Sequence, residues 1–219
     1  MRASALLVLG AVACHAGSAE EPADPPLGAT FVDHFDRADV GSDYRNTGAP
    51  YRIEDGKLVV DHAHNHPLWL KRRLPRDVKV EVDVMSRSPR GDIKVEVFGD
   101  GFRHESEEDV RKDAIYEASG YVFIFGGWSN SRSVLVRKKE HAWQFDSAVP
   151  LRTSPRVEAN RTYHWEITRR DRHIDWKIDG QPFLSWDDPH PLEGAGQDHF
   201  AFDGWETELV FDNLVITAL

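Results

Sequence analysis

The chain has 219 residues, with 37 acidic and 27 basic side chains and a formal net charge of −10. This charge disfavours nucleic acids and anionic membrane surfaces as main partners, because both would be repelled. The length suits a single all-β domain, and the 11% aromatic content fits a protein that meets neutral or cationic ligands, although solvation alone explains the charge equally well.

The N-terminus resembles an export signal. Arg2 precedes an apolar run over residues 3–13, which is too short to span a bilayer as a mature helix. Cys14, the only cysteine, follows Ala-Val-Ala and resembles the lipidated position of a bacterial lipobox. We expect a lipoprotein-type signal peptide over 1–13 and a protein that is exported to the bacterial cell envelope or secreted. Ordinary cleavage nearby, without lipidation, is the alternative.

Residues 14–27 are rich in Ala, Gly, Ser, Glu and Pro and predict a tether, followed by one domain over 28–219. Short strands are predicted over 31–35, 51–54, 57–62 and 68–72. The Asp55-Gly56 pair between the second and third of these predicts a hairpin turn.

Four alternating segments follow, over 78–84, 93–97, 121–125 and 134–136, and we expect them to lie side by side. The 99–120 segment is long for a hairpin connection, so it is either a functional loop or a surface helical turn over 107–114. If the four strands are neighbours, one outer face forms a sugar-binding floor. That face would carry Glu81, Asp83, Glu96, Tyr121, Phe123, Phe125 and Arg137.

Residues 163–186 show the strongest strand pattern in the chain. Apolar and polar residues alternate on both sides of the Arg-Asp-Arg at 170–172, and Asp179-Gly180 offers a second tight reversal. Further strands are predicted over 199–202 and 208–217. About a dozen short strands separated by turn signals predict an all-β fold, a two-sheet antiparallel β-sandwich.

Three stretches carry a resemblance: EDGKLVV at 54–60, WKIDGQPFLSW at 176–186 and LVFDNLVI at 209–216. Together they resemble the concanavalin A-like lectin/glucanase jelly roll, and within it the bacterial 3-keto-disaccharide hydrolase-type domain. Laminin G-like modules are similar more loosely. The resemblance implies a jelly-roll sandwich. It implies less about activity, because this fold hosts lectins, glycosidases, lyases and adhesion modules.

Laminarinase-like glycosidases of this fold carry two glutamates and an aspartate on one strand as nucleophile, acid/base and tuning residue. Glu81 and Asp83 match two of the three positions, but Met85 and Ser86 stand where the acid/base is needed. Glu96 could supply the missing carboxyl from a neighbouring strand. An ordinary solvated strand face explains the same residues.

Two loops offer groups that bind sugars. Gly126-Gly127 lets a ligand approach the backbone, after which Trp128 could stack on a sugar ring and Asn130 could bond hydroxyl groups. A hairpin turn in which the tryptophan caps the sandwich edge is an equally good interpretation. With Trp205 in a similar loop, the predicted carbohydrate-binding set is Tyr121, Trp128, Asn130, Arg137 and Trp205.

His62, His64 and His66 alternate just before Pro67. Histidines two apart on a strand can share one Zn²⁺ ion. A polar strand end is the alternative, and calcium in the loops is a second possible metal. No cofactor is required by the sequence.

Three functions remain open. The first is a lipid-anchored or secreted lectin-like domain that binds polysaccharide or another glycan, with membrane contact only through the anchor. The second is a glycoside hydrolase or related sugar-active enzyme, which the incomplete acid/base motif disfavours. The third is a structural or protein-binding envelope module.

Overall fold

The computed structural model describes residues 23–112 and 115–219. This part of the chain forms fifteen β-strands, one short α-helix, a 3-10 helix over Ala142–Gln144 and a left-handed turn over Gly127–Asn130. The strands are β1 (Thr30–Asp33), β2 (Tyr44–Asn46), β3 (Arg52–Glu54), β4 (Lys57–Val60), β5 (Leu68–Leu70), β6 (Val78–Ser86), β7 (Ile93–Gly99), β8 (Glu117–Gly126), β9 (Arg132–Lys139), β10 (Leu151–Arg152), β11 (Thr162–Arg170), β12 (His173–Ile178), β13 (Gln181–Asp187), β14 (His199–Gly204) and β15 (Leu209–Ala218); the helix is α1 (Glu107–Arg111).

The strands build two antiparallel sheets that pack face to face. Sheet A has the order β13-β12-β11-β6-β15-β4-β3, with β1 also paired to β15. Sheet B has the order β10-β9-β8-β7-β14-β5-β2. The predicted all-β, two-sheet antiparallel sandwich is therefore confirmed.

The 163–186 segment forms β11, β12 and β13 as the alternation predicted. Trp165 pairs with Ile178 and Ile167 pairs with Trp176, so the apolar side chains of both strands share one face. Asp179 and Gly180 both have positive φ, 52° and 72°, which is the backbone that a tight hairpin between twisted strands needs.

Between the sheets lies an aromatic core. The valines of β6 are fully buried against it. The Trp165 and Trp176 rings meet edge to face at 4.6 Å, and Phe123 packs on Trp176 at 5.4 Å. Edge-to-face pairs add about 0.5–1.5 kcal/mol each beyond the area that they bury, so this core supplies much of the stability of the sandwich.

The expectation that four strands lie side by side was wrong for the first of them. β6 lies between β11 and β15 in sheet A, whereas β7, β8 and β9 are neighbours in sheet B. After Ser86 the chain crosses to the other sheet instead of turning back in a hairpin. Glu81 and Asp83 consequently face away from the core on one side of the molecule, and Glu96 does so on the other side.

The same correction applies to the aromatic residues of β8. Tyr121, Phe123 and Phe125 belong to the central core, and the alternate residues Val122 and Ile124 face outward. The strand is buried on both sides because a second, smaller apolar cluster covers its outer face.

The helical turn predicted over 107–114 exists as α1. Ser106 caps it, accepting a hydrogen bond from Asp109 N at 3.1 Å while the Asp109 carboxylate accepts one from Ser106 N at 3.0 Å. Within the described ranges no helix is long and apolar enough to cross a membrane.

The predicted signal peptide over 1–13 and Cys14 lie outside the described residues. Residues 24–27, at the end of the predicted tether, are bound to the sandwich. Leu27 N donates to Arg73 O, Arg73 N donates to Pro25 O, and Asp24 forms an ion pair with Arg45. The sandwich therefore begins before residue 28, because two prolines fix an extended segment that can bond alongside residue 73.

Candidate functional site

A cavity of about 530 Å³ lies on the outer face of sheet B. Its floor comes from β7 and β8, where Lys94 and Ile124 stand directly opposite each other. Loops at the ends of the strands form the walls, and the segment that carries α1 closes one side with Val110, Ile115 and Tyr116. This is the size of a small-molecule or sugar-ring site.

Lys94 organises the floor. Its Nζ lies 2.9 Å from Glu140 Oε1 and donates to Asn65 Oδ1 at 2.7 Å. Burial lowers the pKa of Lys94, but the carboxylates of Glu140, Asp92 and Asp203 outweigh burial and raise the pKa above its ordinary value. The ammonium group is therefore charged and held in place before any ligand arrives.

Two tryptophans line the walls. Trp128 packs edge to face on His141 at 5.4 Å and on Trp143 at 5.2 Å. Trp205 meets the His64 ring at 4.7 Å and lies 5.9 Å from Lys94 Nζ. Both were predicted as carbohydrate-binding residues, and the structure brings them to one cavity.

Trp128 is held by an unusual turn. Trp128, Ser129 and Asn130 have φ values of 51°, 57° and 60°, three consecutive non-glycine residues in the left-handed region. Such a backbone is costly and persists only where its surroundings enforce it, often at functional sites.

The enforcing residue is Asn130. Its Nδ2 donates to Pro89 O at 2.9 Å and Val157 O at 2.8 Å, and its Oδ1 accepts from Val157 N at 2.9 Å. All the polar atoms of this side chain are used inside the protein. Asn130 therefore supports Trp128 and does not bond sugar hydroxyl groups as the sequence suggested.

Two buried carboxyls lie on the same outer face of sheet B. Glu96 Oε1 accepts from Ser119 N, Ser119 Oγ and Gly120 N, whereas its Oε2 has no partner among the described residues. Asp203 lies on β14, opposite Lys94 of β7, and its Oδ1 likewise has no hydrogen-bond partner among the described residues. Burial raises the pKa of Glu96 to about 8 and that of Asp203 to about 7.

Tyr121 and Arg137 do not line the cavity. The Tyr121 hydroxyl donates to Asp188 Oδ2 at 2.8 Å and accepts from Leu192 N at 2.9 Å. Arg137 donates to His190 O at 2.6 Å and lies 3.3 Å from the Asp188 carboxylate. These contacts anchor the 188–192 loop, so both residues act in the structure here.

The predicted catalytic carboxyls are not brought together. Glu81 pairs with Lys79 at 2.8 Å, and Asp83 pairs with His164 at 2.8 Å and accepts from Asn213. Both lie on the outer face of sheet A, with the core between them and Glu96. A double-displacement mechanism that uses Glu81 and Glu96 on one substrate is excluded by this separation.

The three histidines do not share a face. His62 and His64 have positive φ values of 53° and 47°, so the chain turns where the prediction extended a strand. His66 stacks on His104 at 5.3 Å, whereas His64 packs on Trp205. Within residues 23–112 and 115–219 no group of three or more His, Cys, Asp or Glu side chains is arranged to hold a metal ion.

Sequence reasoning missed most of the polar lining. The lining residues Asn65, Asp92, Lys94, Tyr116 and Glu140 come from four separate segments that only the fold brings together. The one local signal was the long 99–120 connection, because a long loop next to a strand can cover charges that otherwise look solvated.

No family model matches the chain, and no curated protein is similar to it in sequence. Solved structures are similar in fold. The carbohydrate-binding module CBM66 from Bacillus subtilis has a TM-score of 0.57 at 13% identity, over 81% of this chain and 96% of that chain.

Two further structures are similar. A B. subtilis protein of unknown function with a galectin-like fold has a TM-score of 0.64 at 14% identity, over 87% of this chain and 96% of that chain. The Emp47p carbohydrate recognition domain has a TM-score of 0.59 at 11% identity, over 86% and 94%. At these identities the likeness shows the fold, a galectin-like jelly-roll sandwich.

Proposed function

We propose that the protein binds a glycan in the cavity on the outer face of sheet B. One observation carries this proposal: Trp128 and Trp205 line a cavity whose floor holds the buried Lys94–Glu140 pair. Sugars present apolar C–H faces and hydroxyl edges, so a site that combines indole rings with fixed polar groups matches both.

The polar floor is preorganised. Lys94 donates to both Asn65 and Glu140, and the cavity presents the remaining donor and acceptor capacity of these groups to a ligand. Binding then costs little ordering of side chains, which favours affinity. The carbohydrate-binding domains among the similar folds agree with this proposal.

Location supports the same function. Export, with lipidation at Cys14, would place the domain in the cell envelope or outside the cell, where polysaccharides are met. The acidic net charge agrees with attachment through a lipid chain and not through contact with anionic headgroups.

A second candidate is a sugar-active enzyme, in line with the likeness to the 3-keto-disaccharide hydrolase-type domain. The observation that favours it is Asp92, which lines the cavity and whose pKa burial raises to about 6. A carboxyl with a pKa near neutrality can act as general acid or base. Release of sugar that is lost in Asp92→Asn, with binding retained, would establish this function.

Binding is tested with a glycan array and polysaccharide pull-down, followed by titration of each hit. Trp128→Ala and Trp205→Ala should each weaken binding about ten-fold or more, because stacking and burial are lost. The matched control is Phe102→Ala, an exposed aromatic that stacks under the Arg45 guanidinium outside the cavity.

Equal losses in Phe102→Ala and in the two tryptophan variants would move the binding site away from the cavity. If the array and the pull-down show no glycan bound, the proposal fails, and the alternative of a structural or protein-binding envelope module takes its place.

A further inference from the structure

The charges that line the cavity do not balance. Among the described residues that line it, two cations, Arg90 and Lys94, face four carboxyl groups. Both cations are already paired: Lys94 Nζ lies 2.9 Å from Glu140, and Arg90 lies 2.9 Å from Glu206. Two carboxyls remain, and their ordinary ionised form would leave the empty cavity with excess negative charge.

Asp92 is the first of these. Its carboxylate makes no hydrogen bond and no ion pair with any described residue, although it lines the cavity. The described charged groups with the largest influence on it are Lys94, Arg90, Glu140 and Glu206, two of each sign. Their charges cancel, so the Asp92 charge has no counterpart among the described residues.

The second is Glu105. It is buried, and its one side-chain hydrogen bond to a described residue is long, 3.5 Å from Asn65 Nδ2. Burial raises the pKa of Glu105. Asp203, next to the floor and opposite Lys94, adds a third carboxyl with an unpartnered oxygen.

The aromatic lining favours the same kind of ligand as the carboxyls. The face of an indole or phenol ring attracts cations, and the attraction grows where water is excluded. Trp128, Trp205 and Tyr116 all line this cavity. Aromatic rings that share a cavity with carboxyl groups lacking an ion-pair partner among the described residues form a site for a positively charged group.

Given the glycan-binding function proposed above, on which this inference rests, we propose that the ligand is an amino sugar with a free ammonium group and that Asp92 binds that group. The indole rings hold the sugar ring, and the carboxylate selects the amine over a hydroxyl or an N-acetyl group at the same carbon. A charge-assisted hydrogen bond is about twice as strong as a neutral one, which gives the selection its strength.

A pH dependence follows from this arrangement. Asp92 lines the cavity with a pKa raised to about 6, and Asp203 lies beside the floor with a pKa raised to about 7. A bound ammonium group stabilises their ionised form, so affinity rises as pH increases through this range and falls once the amine of the ligand loses its proton. An N-acetylated ligand carries no charge, so its affinity should not rise with pH in this way.

The test compares two probes of equal length, a chitosan oligosaccharide and the same oligosaccharide after N-acetylation. Both are titrated by calorimetry at several pH values against the wild-type chain, Asp92→Asn and the control Asp175→Asn, which removes an exposed carboxylate from sheet A. We expect the wild-type chain and the control to bind the chitosan probe about ten-fold or more tightly than the acetylated one. Asp92→Asn should reduce this preference to near unity.

The outcomes separate the two proposals. Equal binding of both probes by the wild-type chain, abolished by Trp205→Ala, would overturn the amino-sugar inference and leave glycan binding intact. Binding of neither probe while another glycan binds in the cavity would do the same. Loss of preference in Asp175→Asn as well as in Asp92→Asn would show a general charge effect and also overturn it. Because the two probes are compared on the wild-type chain, the preference for the ammonium group is measured without any variant, and the variants serve only to locate it.

Discussion

The outer faces of the two sheets begin from nearly the same sequence and end in different environments. β6 reads VKVEVDV and β7 begins IKVEV. Lys79 and Glu81 on the first are 30% and 26% exposed, whereas Lys94 and Glu96 on the second are 2% and 1% exposed. The strands are alike; what covers them differs.

On sheet A the charged side chains form a solvated ladder of ion pairs such as Lys79–Glu81 and Asp83–His164. On sheet B the 99–120 segment and the left-handed turn at 127–130 cover the strand. Water no longer screens the charges there, so each must find a partner or shift its pKa. Covering a charged strand converts an ordinary surface into a buried polar site whose groups have shifted pKa values.

Replacing the equivalent lysine on each outer face is the strongest test of this difference between the two sheets. Lys94→Met leaves Glu140 and Asp203 buried without their cation, so we expect the free energy of unfolding to fall by about 3–5 kcal/mol. Lys79→Met removes a half-exposed pair and should cost less than about 1 kcal/mol. Urea unfolding of both variants measures the difference. Similar costs for the two would mean that the floor of the cavity is hydrated.

A smaller effect concerns pH. Glu96 has a folded pKa of about 8 against an ordinary value of 4.5, so the folded state binds its proton more tightly than the unfolded chain does. The free energy of unfolding should therefore fall as pH rises from about 5 to about 8, by roughly 2–4 kcal/mol for this group. Asp203 acts in the same direction. Unfolding measured across this range should show the protein to be most stable under mildly acidic conditions.

Glu96→Gln tests the assignment of this slope. Glutamine keeps an oxygen to accept from Ser119 and Gly120 and has no charge to bury. The variant should lose stability less steeply with pH than the wild-type chain. Glu81→Gln on sheet A is the matched control and should leave the slope unchanged. A slope unaffected by Glu96→Gln would assign the titration to other groups.

The sandwich could be predicted because its determinants are local. The alternation in 163–186 and the Asp-Gly pairs at 55–56 and 179–180 specify strands and turns without knowledge of the partner strands. The assignment of β6 and β7 to different sheets could not be predicted in this way, because both strands show the same alternation. The turn signature between them, Ser88-Pro89-Arg90-Gly91, fits a hairpin as well as a crossover to the other sheet.

The sequence predicted only those residues of the candidate site whose local sequence suggests ligand binding. Trp128 follows a double glycine and Trp205 lies in a loop, and both line the cavity. Lys94, Glu140 and Asn65 meet across 29 to 46 residues of sequence. The alternation in β7 predicts that Lys94 is exposed to solvent. The loop that buries it is distant in sequence, so the sequence of the strand does not indicate the burial.

The smallest effect separates two asparagines with the same backbone. Asn130 and Asn213 have positive φ values of 60° and 51°, so glycine can replace either without backbone strain. Asn130→Gly removes three hydrogen bonds to backbone groups, two of them buried, and should cost about 1–3 kcal/mol. The contacts of Asn213 with His34 and Asp83 are exposed, so Asn213→Gly should change the free energy of unfolding by no more than about 0.5 kcal/mol. The added flexibility of glycine in the unfolded chain is common to both variants, so it cancels in the comparison.

Chemical unfolding measures the two changes in stability, and glycan titration shows whether Trp128 loses its position when the hydrogen bonds of Asn130 are removed. Weakened binding in Asn130→Gly alone would connect the strained turn to the cavity; unchanged binding would mean that the packing of Trp128 on His141 and Trp143 holds the ring without it.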